Sequence, residues 1–371
     1  NVKNLSLEEM MKLITGAGFW HTNDLGGKVP VLCMSDGPHG LRRQDEGIQA
    51  CNNSYTATCF PTASASACSW DTELIAEEAA AIAEEAADQG VGLVLGPGVN
   101  MKRSPLCGRN FEYFSEDPYL AGKLSAAFIS AMQKKGIGCS LKHFAGNSQE
   151  TKRQTSNSQI DERALHEIYL RAFQIAVQEA QPATVMASYN RLNGIYACQN
   201  EELLTKILRD TWGFRGAVIS DWSACTDLAA SLKAGMDLEM PGNKGCHLKP
   251  LKKDLQKGKI RRSAIIRAAG RVMRLAEKYS SENRERTPAD YKSHHALAVR
   301  VAGESAVLLK NEGALPLDPG QNYLVIGDLA KKMRIQGGGS SHISTESVVS
   351  AWDALKENGL SCTFSRGYDA A

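Results

Sequence analysis

The sequence predicts an α/β fold: a (β/α)8-type (TIM-like) barrel followed by the beginning of a second α/β domain. Helical segments alternate with short apolar strands in five or more βα units over about 170 residues, a spacing that suits a closed barrel. The strand runs are continuously apolar rather than alternating, as strands covered on both faces of a parallel sheet must be. The alternation then stops at a polar segment, residues 280–292, that reads as a linker. A doubly wound open sheet is the second-ranked topology.

In chain order, residues 1–14 read as a helix with polar and apolar faces. Residues 71–90 form a long helix that starts at a capping Asp71 and stops at Gly90, and the strand 91–96 follows directly. The pattern repeats as helix 117–136 with strand 137–141, and as helix 158–181 with strand 183–188. Helix 200–213 leads to strand 216–220, and helix 226–235 to strand 236–240. Residues 1–279 are thus assigned to the barrel, 280–292 to the linker, and 293–371 to the N-terminal part of an α/β sandwich domain. That last part holds a helix (294–309), a strand (323–327), a glycine-rich loop, a helix (348–358) and a strand (361–364). Those are too few strands for a complete sheet.

Composition narrows the function classes. A net charge of +2 gives no preference for nucleic acid or anionic lipid, and no apolar run reaches the length of a membrane span. The basic stretch 249–274 reads as the solvated face of a helix whose inner side carries Ile265, Ile266, Ala269 and Val272. Ten scattered cysteines include no CxxC pair, so neither a disulfide scaffold nor a zinc or redox motif is expected. They fit a reducing compartment, although a Cys51–Cys59 bridge stays open. The start lacks a basic end and apolar core, which favours a cytoplasmic location with secretion left open.

Catalytic groups of such barrels sit at the carboxyl ends of the strands. Those positions hold Asn100 to Arg103 and Gly108 to Glu112, Lys142-His143-Phe144, Ser188-Tyr189-Asn190, Asp221-Trp222 and Glu239-Met240-Pro241. Singly, each has an ordinary explanation: a strand-end Asp caps a helix, and Arg109 with Glu112 makes a structural ion pair. Together they offer a carboxylate, hydroxyl-binding groups and an aromatic platform, which is the chemistry of sugar recognition.

Ser35-Asp36-Gly37-Pro38-His39-Gly40-Leu41-Arg42, Gly108-Arg109-Asn110-Phe111-Glu112-Tyr113-Phe114, Lys142-His143-Phe144, Met186-Ala187-Ser188-Tyr189-Asn190 and Ser220-Asp221-Trp222 occur in this order. From about Phe19 onward the chain resembles glycoside hydrolase family 3, in particular its β-glucosidase branch. The resemblance implies a retaining, exo-acting β-glucosidase that forms a covalent glycosyl-enzyme on Asp221. It implies that Asp36, Arg109, Lys142 and His143 bind hydroxyls of the non-reducing glucose, with Tyr189 beside the nucleophile and Trp222 as an apolar surface. Met186 and Arg153 complete the expected substrate-binding set. Nearby Arg and Lys charges should lower the nucleophile's pKa. No metal or cofactor is implied.

The run Lys142 to Thr151 has no histidine after Lys-His-Phe, unlike the N-acetylglucosaminidase branch. The β-glucosidase branch takes its general acid/base from the second domain, beyond a motif like Gly337-Gly338-Gly339-Ser340, and no residue here can be assigned that role. A missing C-terminal segment or a second chain would supply it. That glycine-rich loop lacks the Gly-Lys-Ser/Thr ending of a phosphate loop and reads as a tight turn. The expected partner is a β-glucoside or short β-linked oligosaccharide. The alternatives are a β-xylosidase, or a sugar-binding protein without turnover.

Overall fold

The computed structural model describes residues 2–44, 53–284 and 286–368. Cys51, one partner of the possible Cys51–Cys59 bridge, lies outside them.

Helix limits follow local capping chemistry. The carboxylate of Asp71 accepts the Glu73 and Leu74 N–H groups and starts helix Thr72–Asp88. Asp117 does the same for Pro118–Lys134, and Asp227 for Leu228–Ala234. Each of these helices ends at a glycine with positive φ, Gly90, Gly136 and Gly235 respectively, a conformation that a Cβ disfavours.

Between the helices run β1 (Met34–Asp36), β2 (Leu93–Leu95), β3 (Gly138–Phe144), β4 (Thr184–Ala187) and β5 (Ala217–Ser220). They form one parallel five-stranded sheet in sequence order. Nearly every residue in them is buried, as the continuous apolar runs require. Main-chain pairing continues past both edges. Ile219 bridges Leu238, and Glu239 bridges Thr15 in parallel. Gly16–Ala17 pairs antiparallel with His21–Thr22, and the Met34 N–H donates to the Trp20 carbonyl at 2.8 Å, which returns the circuit to β1. The architecture is therefore α/β with a mainly parallel sheet. Its first segment enters as an antiparallel hairpin rather than a βα unit, because the connection through Gly26, Gly27 and Pro30 is too short and too turn-rich for a helix.

Other elements depart from the expected limits. Residues 158–181 do not form one helix: Asp161 caps Glu162–Ala164, a π-type turn spans Leu165–Tyr169, and Arg171–Ala180 follows. Residues 236–240 contribute bridges rather than a full strand. Helix Arg262–Tyr279 buries Ile265, Ala269 and Val272, with Ile266 partly covered, and leaves its basic face outside.

The 280–292 segment is tied to the first region. Ser280 Oγ donates to the Val31 carbonyl at 2.7 Å, and Arg284 to the Gly136 carbonyl at 2.7 Å. Helix Tyr291–Glu304 packs on helix Thr72–Asp88, with His294 held between Glu84 (3.1 Å) and Glu85 (2.9 Å). Beyond it, β6 (Asn322–Ile326) and β7 (Ser361–Ser365) pair in parallel, accompanied by helix Ala351–Glu357. Leu324 and Ile326 stay 61% and 62% exposed, and no further strand joins the pair among the described residues. Among the described residues, no helix is long and apolar enough to cross a membrane.

Glu78 sits inside helix Thr72–Asp88, buried, and its Oε2 has no hydrogen-bond partner among the described residues. Burial pushes its pKa up to about 8. Because the folded value lies above the unfolded one, the penalty is absent below about pH 4.5 and grows until pH 8. Glu78→Gln should therefore leave stability unchanged near pH 4.5 and raise it by about 3 kcal/mol at pH 7. Urea unfolding at the two pH values checks this; equal gains at both would mean that the carboxyl is not neutral in the fold.

Candidate active site

The carboxyl ends of β3, β4 and β5 converge on a cavity of about 1360 Å³. Asp36, Arg109, Lys142, His143, Arg153, Met186, Tyr189, Asp221 and Trp222 all line it, so the expected nucleophile and the whole expected substrate-binding set reach this one space, whereas the strand-end residues Asn100, Glu112, Ser188, Asn190 and Glu239 do not.

Its floor is an ionic cluster. Glu112, on the single turn Asn110–Glu112, is wholly buried between the Arg109 guanidinium, which donates through Nε, and Lys142 Nζ at 3.0 Å. Burial opposes ionisation of Glu112, but the two cations overcome it and hold the carboxyl at about 2. Arg109 also donates to His143 Nε2 at 2.7 Å. An arginine can only donate, so His143 carries its proton on Nδ1 and gives it to the Tyr113 hydroxyl, 3.1 Å away. Burial, then the Arg109 and Lys142 charges, push the imidazole pKa well below its usual value. His143 is neutral, with protein partners on both ring nitrogens. Asn100 fixes its main chain, bonding to both its N–H (2.7 Å) and its carbonyl (2.9 Å).

Asp221 follows directly on β5. Its N–H donates to the Ala187 carbonyl at 2.9 Å, and its Oδ1 accepts the Trp222 N–H at 2.7 Å. Oδ2 lies 3.7 Å from His143 Nε2 and 3.9 Å from Arg109, buried and without a hydrogen-bond partner among the described residues. The sequence leads one to expect a lowered pKa here; the structure reverses that. Burial outweighs the Arg109 charge, the Trp222 N–H, the Lys142 charge and Tyr189, and the Asp221 pKa is raised. A carboxylate oxygen withdrawn from water in this way is a stronger nucleophile than a solvated one.

Around this centre, the Arg153 guanidinium lies over the Tyr189 ring, 4.3 Å from its centroid, and pairs with Glu150 at 2.8 Å. Asp36 accepts from Arg42 at 3.0 Å. Trp222 Nε1 donates to the Phe19 carbonyl at 2.9 Å, and the Phe19 and Trp20 rings sit 6.2 and 5.7 Å from the Trp222 ring. Phe19, Trp20 and the Gly338–Ser340 turn were not foreseen as cavity wall. The turn is held there by His39, whose Nε2 lies 3.2 Å from the Ser341 carbonyl. Glu112 was foreseen only as an ion-pair partner of Arg109; its spacing from Arg109 was the available signal. Among the described residues, one cluster of His, Cys and carboxylate side chains could hold a metal ion: Cys225, Glu239 and His247, none of which lines the cavity.

The model described as "Glycosyl hydrolase family 3 N terminal domain" matches residues 22–275, and that of the family's C-terminal domain matches residues 306–364. The chain belongs to glycosyl hydrolase family 3. Among family 3 relatives, thermostable beta-glucosidase B of Acetivibrio thermocellus is 45% identical over 99% of this chain and 50% of its own length. An exo-alpha-(1->6)-L-arabinopyranosidase of Bifidobacterium breve is 43% identical, again over 99% of this chain and 50% of its own. The structure of beta-glucosidase 3B from Thermotoga neapolitana in complex with alpha-D-glucose superposes with a TM-score of 0.92 at 35% identity, covering 98% of this chain and 54% of that one. The chain spans about half the length of these relatives.

Proposed function

We propose that this family 3 chain carries the glycone pocket and nucleophile of a retaining, exo-acting β-glucosidase, with Asp221 forming the covalent glycosyl-enzyme. One observation carries the reading: the buried Oδ2 of Asp221 has no hydrogen-bond partner among the described residues and belongs to a cavity otherwise lined by hydroxyl-binding and apolar side chains. Asp221 would attack the anomeric carbon from the α face as the leaving oxygen departs. Water would then return from the β face. Asp36, Arg109, Lys142 and Arg153 supply acceptors and donors for ring hydroxyls, and Trp222 with Met186 supplies apolar surface. Tyr189 orients Asp221, and His143, bonded on both nitrogens, orients Arg109. The circuit of main-chain bonds fits a modified (β/α) barrel, with the strand ends at the pocket.

The acid/base belongs elsewhere. Among the described residues the carboxylates lining the cavity are Asp24, Asp36 and Asp221; Asp24 is engaged by the Gly26 and Gly27 N–H groups, and Asp36 by Arg42. Further chain would supply it while covering Leu324 and Ile326. The twofold length of the relatives supports this.

A 2-fluoro-glucoside with an activated leaving group tests the proposal, since its departure needs little acid help and its adduct hydrolyses slowly. Intact mass should rise by one fluoroglucosyl group, mapped to the Asp221 peptide. Glucose binding without an adduct would mean a sugar-binding protein without turnover. The arabinopyranosidase relatives favour one second reading, a pentopyranoside glycone. Comparing rates on aryl β-glucoside, β-xyloside and α-L-arabinopyranoside separates the two.

A further inference from the structure

We propose that Cys225, Glu239 and His247 form a binding site for a thiophilic divalent cation of the Zn²⁺ class, which clamps the Asp221 loop to the 241–248 rim of the cavity. One ligand atom from each of the three lies within 4.8 Å of the other two. Zinc bonds of about 2.0–2.3 Å in tetrahedral array put donor atoms roughly 3.3–3.7 Å apart, so the set needs to contract by about 1 Å. The side chain free to make that move is His247, 23% exposed, which also leaves the ion a way in.

The second observation is the state of Glu239. It is 1% exposed, yet only one carboxylate oxygen is used: Oε1 takes His247 Nδ1 at 2.6 Å and the Asn243 amide at 3.3 Å. Oε2 is buried with no partner among the described residues. A buried carboxylate with a spare oxygen, next to a thiol and an imidazole, is an incomplete coordination shell that a cation would finish. The donor set selects the ion. One sulfur, one nitrogen and one carboxylate suit zinc, whereas Mg²⁺ and Ca²⁺ call for oxygen donors throughout. A water would fill the fourth position.

The place of the cluster gives it consequence. Cys225 follows Asp221 in the same loop, where the Ala224 N–H donates to the Asp221 carbonyl at 2.9 Å and the Ser223 N–H to the Met240 carbonyl at 2.9 Å. Glu239 precedes Met240, while Asn243, Lys244 and Gly245 line the cavity. An ion held by all three side chains would join both loops.

Titration with Co²⁺ under a non-thiol reductant tests this, because a thiolate–cobalt bond gives a near-ultraviolet charge-transfer band. The band should saturate at one ion per chain, Zn²⁺ should displace it, and Zn²⁺ should raise the thermal midpoint. Cys225→Ser should abolish the band, and His247→Ala, on a part-exposed side chain that folding tolerates, should weaken Zn²⁺ binding at least ~10-fold. A Cys68→Ser/Cys246→Ser variant, which removes the two exposed thiols among the described residues, should bind as wild type. No thiolate band in the wild-type chain, unchanged affinity in His247→Ala, or loss of binding with Cys68 and Cys246 overturns the proposal.

Discussion

Replacing Asp221 with alanine is expected to lower turnover of an activated aryl β-glucoside by a factor on the order of 10⁴–10⁶, the scale seen when a covalent nucleophile is removed. Folding should not suffer. The native carboxylate is buried with Oδ2 unpartnered and a raised pKa, so at neutral pH it costs stability. That cost vanishes in the variant, whose unfolding midpoint should exceed wild type at neutral pH and match it below about pH 3.8, where the aspartate is protonated folded or unfolded. The emptied space beside Arg109 and His143 also fits a small anion. Added azide should restore turnover of the activated substrate and yield the α-glucosyl azide, because attack still comes from the face that Asp221 occupied. Activity within ~10-fold of wild type, or a β-configured azide, would remove Asp221 from the nucleophile's role.

Glu112→Gln should cost about 3–5 kcal/mol of stability, because it leaves two buried cations facing each other without their shared anion. Glu112 has no exposed side-chain surface, and Arg109 and Lys142 are 15% and 2% exposed, so solvent cannot take over its task. The site should respond too. Freed from Glu112, Arg109 can close its 3.9 Å gap to Asp221 and pair with it. That stabilises the ionised aspartate, so the acid limb of the 2-fluoro-glucoside labelling rate should move to lower pH while the rate itself falls. Urea denaturation and the labelling profile give the two readouts independently. An unchanged midpoint would mean that Glu112 does not hold the two cations.

Much of this arrangement is legible in the residues. Asp71, Asp117 and Asp227 announce helix starts, and Gly90, Gly136 and Gly235 announce stops, because capping and positive φ act locally. The residues at the ends of β3, β4 and β5 meet in the cavity because parallel strands deliver their carboxyl ends to one rim. What stays hidden depends on partners distant in sequence. The Phe19 and Trp20 rings carry no catalytic motif, and only the hairpin pairing near Cys33 brings them to Trp222. The π-type turn at Leu165–Tyr169 shares its apolar period with an ordinary helix. The sign of the Asp221 shift needed the depth of burial, which neighbouring charges alone do not reveal.

The cavity wall also has a history in time. His39 precedes by 302 residues the Ser341 carbonyl that it meets, and the Gly338–Ser340 wall comes with that carbonyl. At about 5–20 residues per second of synthesis, the early side of the pocket waits roughly 15–60 s for its late side. A nascent chain therefore holds Asp36, Lys142 and Asp221 in place before it can enclose a sugar. Ligand binding thus reports that the Gly338–Ser340 segment has been made and has docked.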